Sequence, residues 1–227
     1  MTTSGASAAL ISVESHLADI LSTIRPLAPI EVSLTEAHGL VLAEDVATSH
    51  PLPSFDNSAM DGYAVRVQDI ASASQDSPVT LPVVGEVAAG DTGAYSLPEG
   101  TAIRIMTGAM LPYGTEAVVP VEWTDGGTAR VTVRAQADFG NAMRLAGGDA
   151  KAGEVLISEG TRLRPMHIGV IAAAGRGTVL VRPRPRVVVL STGSELAEPG
   201  TPIIPGRIWD SNSFMIVAAA REAGCLA

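Results

Sequence analysis

The segment Pro51-Leu-Pro-Ser-Phe-Asp-Asn-Ser-Ala-Met-Asp-Gly-Tyr-Ala-Val-Arg66 restricts this chain more than any other stretch. Pro51 and Pro53 hold φ and stiffen the approach, and Asp56-Asn57 and Asp61-Gly62 supply turn chemistry. The expected structure is a rigid, exposed bend, with a strand pattern resuming only at Tyr63-Ala-Val-Arg66. Two carboxylates, an amide and a hydroxyl fall between Asp56 and Asp61. Asp-Gly and Asn-Ser are ordinary turn formers, so residue types alone favour a structural corner over a site.

The flanking sequence sets the frame for that bend. Ser12 is placed to cap a helix in which Val13, Leu17, Ile20, Leu21 and Ile24 share one face, and Pro26 ends it. Such a helix needs a partner surface. Ser33-Leu-Thr-Glu36 is a capping box opening a short second helix that Gly39 closes, and Leu40 to Ala47 then runs extended into the bend. His38 and His50 read as solvent or packing residues.

From Tyr63 to Arg134 short strands alternate with turns. Ile103, Ile105, Val131 and Val133 are expected to face one way, while Pro82, Pro98, Pro112 and Pro120 break the longer runs. Ser72 to Pro78 reads as a polar loop and Asp125-Gly-Gly127 as a hairpin turn. Leu163 to Ala174 reads as a helix stopped by Gly175, and strands at Thr178 to Arg182 and Arg186 to Leu190 flank Pro183 and Pro185. The unbroken Val187-Val-Val-Leu190 has the pattern of a buried parallel strand. A helix from Ser213 to Ala223, capped by Ser211 or Asn212, completes the start of a βα unit.

These changes of character give a mixed α/β, multidomain reading. It comprises an N-terminal helix (residues 1–32), a discontinuous α/β linker domain (33–52 and 150–183), a β-rich domain (53–149) and the beginning of an incomplete doubly wound α/β domain (184–227). Such a domain needs several βα units to cover its sheet, so one strand and one helix suggest an N-terminal fragment of a longer protein. A formal charge of −9 repels phosphate backbones and argues against a broad nucleic-acid surface. The lone Cys225 excludes an internal disulfide and fits a reducing cytoplasm. Met1 to Leu10 lacks the basic-then-apolar pattern of a leader, and no apolar run approaches bilayer-spanning length, so a cytoplasmic protein without membrane insertion is expected.

Phe55-Asp-Asn-Ser-Ala-Met-Asp-Gly-Tyr-Ala-Val-Arg66 resembles the motif of the molybdopterin molybdenumtransferase family, which includes the bacterial MoeA proteins and the E domain of gephyrin. Arg104-Ile-Met-Thr-Gly-Ala109, Gly147-Gly-Asp149, Ser191-Thr-Gly-Ser-Glu-Leu196 and Gly206-Arg-Ile-Trp-Asp-Ser-Asn212 resemble it in the same order. The resemblance implies a molybdopterin-binding-like fold for the last domain. It also implies insertion of molybdate into adenylylated molybdopterin, with magnesium-dependent release of AMP. Asp61, Thr107, Asp149 and Glu195 match functional positions, with Arg144, Ser58, Ser191 and Thr192 toward substrate or anion and Glu195 and Asp210 toward magnesium. Carboxylate oxygen suits a hard cation, and hydroxyl or guanidinium groups suit molybdate and phosphate.

Bland alternatives stand beside these assignments. Thr107-Gly108 is a common strand end, Asp149 an ordinary loop acid, and Asp210 a precursor to the helix cap. Glu195 is expected to follow the buried strand at Val187 to Leu190, and this location supports it independently, since α/β folds place ligand groups at strand carboxyl ends. The chain also departs from the family. Leu145 stands where a second arginine is common and offers neither charge nor donors, Gly148 replaces a glutamate, and Ser194 stands where bacterial enzymes often have aspartate. The altered Arg144 to Asp149 loop favours an alternative function, a gephyrin-like scaffold that binds peptides of membrane or cytoskeletal proteins. The family's homodimer forms sites from both chains, and its glycine- and lysine-containing motifs lie past Ala227, so the fragment alone is expected to be inactive.

Overall fold

The computed structural model describes residues 10–227, and the part of the expected N-terminal segment before Leu10 lies outside the described residues. The chain forms two compact units. Among the described residues, one comprises Asp45–Ile157 and Gly169–Arg176; the other comprises residues 10–44 together with Ser158–Ile168 and Gly177–Ala227. Residues 45–52, 150–157 and 169–176, drawn on sequence with the linker, fall in the β-rich unit. Among the described residues no helix is long and apolar enough to cross a membrane.

The β-rich unit is built on a five-stranded sheet, in the order Ala117–Pro120, Gly62–Val65, Ala102–Ile105, Val79–Val87, Arg130–Val133. All neighbours are antiparallel except Val79–Val87 and Ala102–Ile105, which run parallel with a register shift between Val83 and Glu86. Strand alternation sends Tyr63, Val65, Ala102, Ala117, Val119, Val131 and Val133 into one core with Ile70 and Leu81. Ala64, Ile103, Ile105 and Val118 enter another with Val87 and Leu97. Ile103 and Ile105 therefore pack in a different core from Val131 and Val133, contrary to the sequence expectation. Register is the reason: Val83, which packs on the first core, sits opposite Ala102, and this turns Ile103 the other way. With both faces covered, each buried Val or Ile contributes about 1.5–3 kcal/mol.

Asp125-Gly-Gly127 reverses the chain as expected of a hairpin: Thr124 bridges Val133 antiparallel, Asp125 N donates to Thr132 O at 3.2 Å and Arg134 N to Trp123 O at 2.9 Å. The turn is held by the Asp125 carboxylate, which accepts from the N–H groups of Gly127 at 3.1 Å and Thr132 at 2.9 Å.

In the other unit the strand Thr178–Arg182 lies between Ile30–Ser33 and Val41–Leu42, antiparallel to both. The helix Val13–Thr23 starts where Ser12 Oγ accepts from Ser15 N at 3.1 Å, and its Val13, Leu17, Ile20 and Leu21 are all exposed. Glu36 accepts from Ser33 N–H and Oγ–H, and Gly39 closes the short helix Leu34–Ala37 at φ 80°. The helix Pro165–Ala173 is likewise closed by Gly175 at φ 80°.

Val187–Leu190 is not the expected buried strand. It has no strand pairing, Val188 and Leu190 are 79% and 82% exposed, and the adjoining contact is a single parallel bridge from Arg186 to Leu226. An apolar run becomes a parallel strand only when a neighbouring strand takes up its N–H and C=O groups. The parallel pair in this region is instead Leu196–Ala197 with Ile208–Trp209, followed by the helix Asn212–Glu222.

Candidate active site

The bend is stitched into the β-rich unit along both edges. Asn57–Ser58 pairs antiparallel with Met143–Arg144, Asn57 bridges Met110 on its other side, and Ser58 N donates to Ala109 O at 3.0 Å. Gly108 N donates back to Ser58 O at 2.8 Å. This pairing buries Asn57 to 6% and Ser58 to 0% exposure, so the middle of the bend is interior rather than exposed as the sequence suggested. The Ser58 hydroxyl donates to Met60 O and accepts from Met60 N at 3.3 Å, which closes the turn leading to Asp61.

That turn and Gly108 bring two sequence-selected residues together. Asp61 Oδ1 accepts from Thr107 N and from Thr107 Oγ1, each at 2.7 Å. Both residues are exposed. The Thr107 N–H, then its hydroxyl, hold the Asp61 carboxyl below its ordinary range, and the charge of Arg104 assists. The N–H groups of Met106, Thr107, Gly108 and Ala109 are all used within the protein, on Val87 O, Asp61 Oδ1, Ser58 O and Met106 O. The turn therefore offers no spare N–H to an anion. The second Asp61 oxygen and the Thr107 hydroxyl oxygen keep acceptor capacity, and Arg104 supplies positive charge beside them. Arg104 was not singled out from the sequence, although it is the one charged residue in the strand Ala102–Ile105.

The loop after Arg144 lies along the start of the bend. Ala146 N donates to Asp56 Oδ1 at 2.7 Å, Gly147 N to Pro53 O at 3.0 Å, and Asp149 N to Leu52 O at 2.9 Å. Arg144, Leu145 and Asp149 are exposed, and Asp149 borders an apolar cleft of about 460 Å³ with Leu52, Pro53, Leu156 and Val170.

Ser191, Thr192, Glu195 and Asp210 belong to the other unit. Ser191, Gly193 and Asp210 line one cavity of about 410 Å³. Asp210 accepts from Ser213 Oγ at 2.6 Å and Ser213 N at 3.1 Å, and these bonds, the hydroxyl first, hold its carboxyl below the usual range, with Ser191 assisting. The Asp210 side chain, rather than Ser211 or Asn212, thus satisfies an N–H in the first turn of the helix Asn212–Glu222. Glu195 does not follow a buried strand. It precedes Leu196–Ala197, while Asp210 follows the parallel partner Ile208–Trp209, so the two acids flank opposite ends of this ladder. Among the described residues no three His, Cys, Asp or Glu side chains converge as a metal site.

A family pattern described as the MoeA N-terminal region, domains I and II, matches residues 11–175. The chain belongs to the MoeA family. Molybdopterin molybdenumtransferase 2 of Mycobacterium tuberculosis is 49% identical over 213 residues, 94% of this chain and 53% of that protein. Molybdopterin molybdenumtransferase of Bacillus subtilis is 38% identical over 197 residues, 85% of this chain and 46% of that protein. The crystal structure of the molybdopterin biosynthesis MoeA protein from Pyrococcus horikoshii is similar with a TM-score of 0.81 at 34% identity, covering 94% of this chain and 57% of the other. The chain spans about half the length of the curated relatives it matches.

Proposed function

We propose that the intact protein is a MoeA-type transferase acting in molybdenum cofactor biosynthesis, inserting molybdate into adenylylated molybdopterin with release of AMP. The observation that carries this reading is the double hydrogen bond from Thr107 to Asp61, beside Arg104. When two thiols replace an oxide ligand of molybdate, their two protons leave with that oxygen as water. Protons must therefore move at the metal, and an ionised carboxylate joined to a hydroxyl is a group able to relay them. Arg104 and Arg144 hold the anion, and Ser58 acts as a positioning residue through its turn with Met60. Asp149 stands at the apolar cleft beside the bend, on the substrate side.

Magnesium fits the donor chemistry of the other unit. Asp210 and Ser191 share a cavity, Glu195 is exposed nearby in sequence, and a carboxylate that already accepts two hydrogen bonds keeps further lone pairs. Asp210 would hold the ion from this cavity, with Ser191 and Thr192 toward phosphate oxygens, while Glu195, assigned to the metal by the sequence resemblance, does not line the cavity. When bound, it supplies neutralisation of phosphate charge. The reading includes the homodimer that the sequence resemblance implies. Complementation of a molybdenum-insertion mutant by the intact protein tests the proposal: restored cofactor synthesis supports it, and failure with normal expression favours the scaffold.

A further inference from the structure

Leu21, Ile24, Leu27, Leu40 and Pro183 form the apolar wall of a cavity of about 710 Å³, a volume within the usual range of small-molecule sites. It lies in the unit that also carries Asp210, but it is a different cavity from that of Ser191 and Asp210, and none of the residues assigned to insertion lines it. Arg25, Arg162, Arg182 and Arg184 complete its lining. Among the described residues no aspartate or glutamate lines it, in a chain with 24 Asp and Glu against 15 Lys and Arg. Charge is segregated here against the sign of the whole protein.

Two of the four arginines are already engaged. Arg182 Nη1 donates to Leu27 O at 2.9 Å and its Nη2 meets Glu159 Oε1 at 3.3 Å, while Arg25 Nη1 turns back to donate to Ser22 O at 2.6 Å. Arg162 and Arg184 instead converge on Gly39. Arg162 Nε donates to Gly39 O at 3.2 Å, and Arg184 Nη2 lies 3.4 Å from where a Cβ on Gly39 would stand. Arg162 Nη2 also lies over bare backbone, 2.7 Å from where a Cβ on Gly224 would stand, and both glycines line the cavity. Gly39 N donates to Leu163 O and Leu163 N to Leu40 O, each at 2.8 Å, so this floor is fixed.

Arg184 has no hydrogen-bond or ion-pair partner among the described residues, and Arg162 spends only its Nε. Two guanidiniums brought to one glycine repel each other and keep unspent N–H donors. An oxyanion between them relieves the repulsion and accepts those donors, in the fork geometry that suits carboxylate and phosphate. The apolar wall then selects among anions for one with a hydrocarbon body, because burying that body adds to the charge interaction. An inorganic anion has no such body, and an uncharged chain leaves the guanidiniums unanswered.

We propose that this cavity binds a small amphiphilic anion, a carboxylate or phosphate carried on an aliphatic chain, with Arg162 and Arg184 on the head and Leu21, Ile24 and Leu27 along the chain. The site is separate from the insertion chemistry and does not depend on that reading.

Calorimetric titration of the intact protein with octanoate, octyl phosphate and octanol tests it, since the three share a chain and differ in the head. The expected result is saturable binding of an anion, the tighter of the two at least about tenfold above octanol, and its identity assigns the head. Arg184→Gln alters an exposed, unbonded side chain, so melting should stay as it is while that anion loses about tenfold and octanol loses nothing. Leu27→Ser should weaken anion and alcohol alike. Arg130→Gln, in the β-rich unit, makes the same change of net charge and should leave both unaltered. No saturable anion binding, neither anion above octanol, or an equal loss in Arg130→Gln and Arg184→Gln overturns the proposal. Displacement of the bound anion by molybdate or AMP would place the cavity within the insertion chemistry and overturns it too, whereas binding indifferent to both upholds a separate site.

Discussion

Asp61 Oδ1 takes both the backbone N–H and the hydroxyl of Thr107, each at 2.7 Å and across 46 residues of sequence. The pair joins the end of the proline-rich bend to the turn after the strand Ala102–Ile105. Because the folded protein donates to the ionised form, the Asp61 carboxyl titrates below its unfolded value. Its stabilisation is complete above the ordinary aspartate range and is lost as pH falls through the lower folded value. Melting curves should show unaltered protein slightly more stable than Asp61→Asn near about pH 7, with the difference vanishing near about pH 2. A difference that grows on acidification contradicts the assignment.

Gly62, next in sequence, admits no side chain. A Cβ there would lie 2.1 Å from Val119 O, on the neighbouring strand of the sheet. Gly62→Ala should destabilise the protein by about 3 kcal/mol, because backbone rather than a flexible side chain must move. Denaturant unfolding measures this, and a loss under about 0.5 kcal/mol rejects the close approach.

Asp210 has two roles that separate by substitution. Asp210→Asn retains an acceptor for Ser213 and should leave helix content unchanged while shifting the magnesium dependence of insertion to higher concentration. Glu195→Gln should shift it in the same direction. A magnesium titration identical to that of unaltered protein in both variants removes these residues from the metal site.

Leu145 follows Arg144 in the loop hydrogen-bonded to the bend and is 57% exposed. Leu145→Arg adds a guanidinium at a position with little packing to lose, and molybdate affinity should rise about tenfold. Calorimetric titration with molybdate reads the change, and unaltered affinity shows that Arg144 and Arg104 already suffice.

What could be read from sequence was local. Ser12, the Ser33–Glu36 pair, Gly39 and Gly175 mark helix ends through bonds or φ values within a few residues, and the structure has them there. The strand Thr178–Arg182 was equally plain. Register was not: whether Ile103 and Val131 share a core depends on Val83 meeting Ala102, a contact that alternation cannot specify. The run Val187–Leu190 looks the same with or without a partner strand. At the site, Asp61 and Thr107 were both selected from the family resemblance, but their direct pairing was not visible in their spacing. Ser58 looked like an exposed turn hydroxyl because the ladders on either side of it come from residues 108–110 and 143–144.

The most direct test is the rate of molybdate insertion by the intact protein carrying Asp61→Asn, measured beside its melting temperature. The account predicts insertion lowered at least about a hundredfold, the size of a lost proton-transfer group, with melting near neutral pH changed by no more than a few degrees. Insertion at the unaltered rate in a folded Asp61→Asn protein would contradict it.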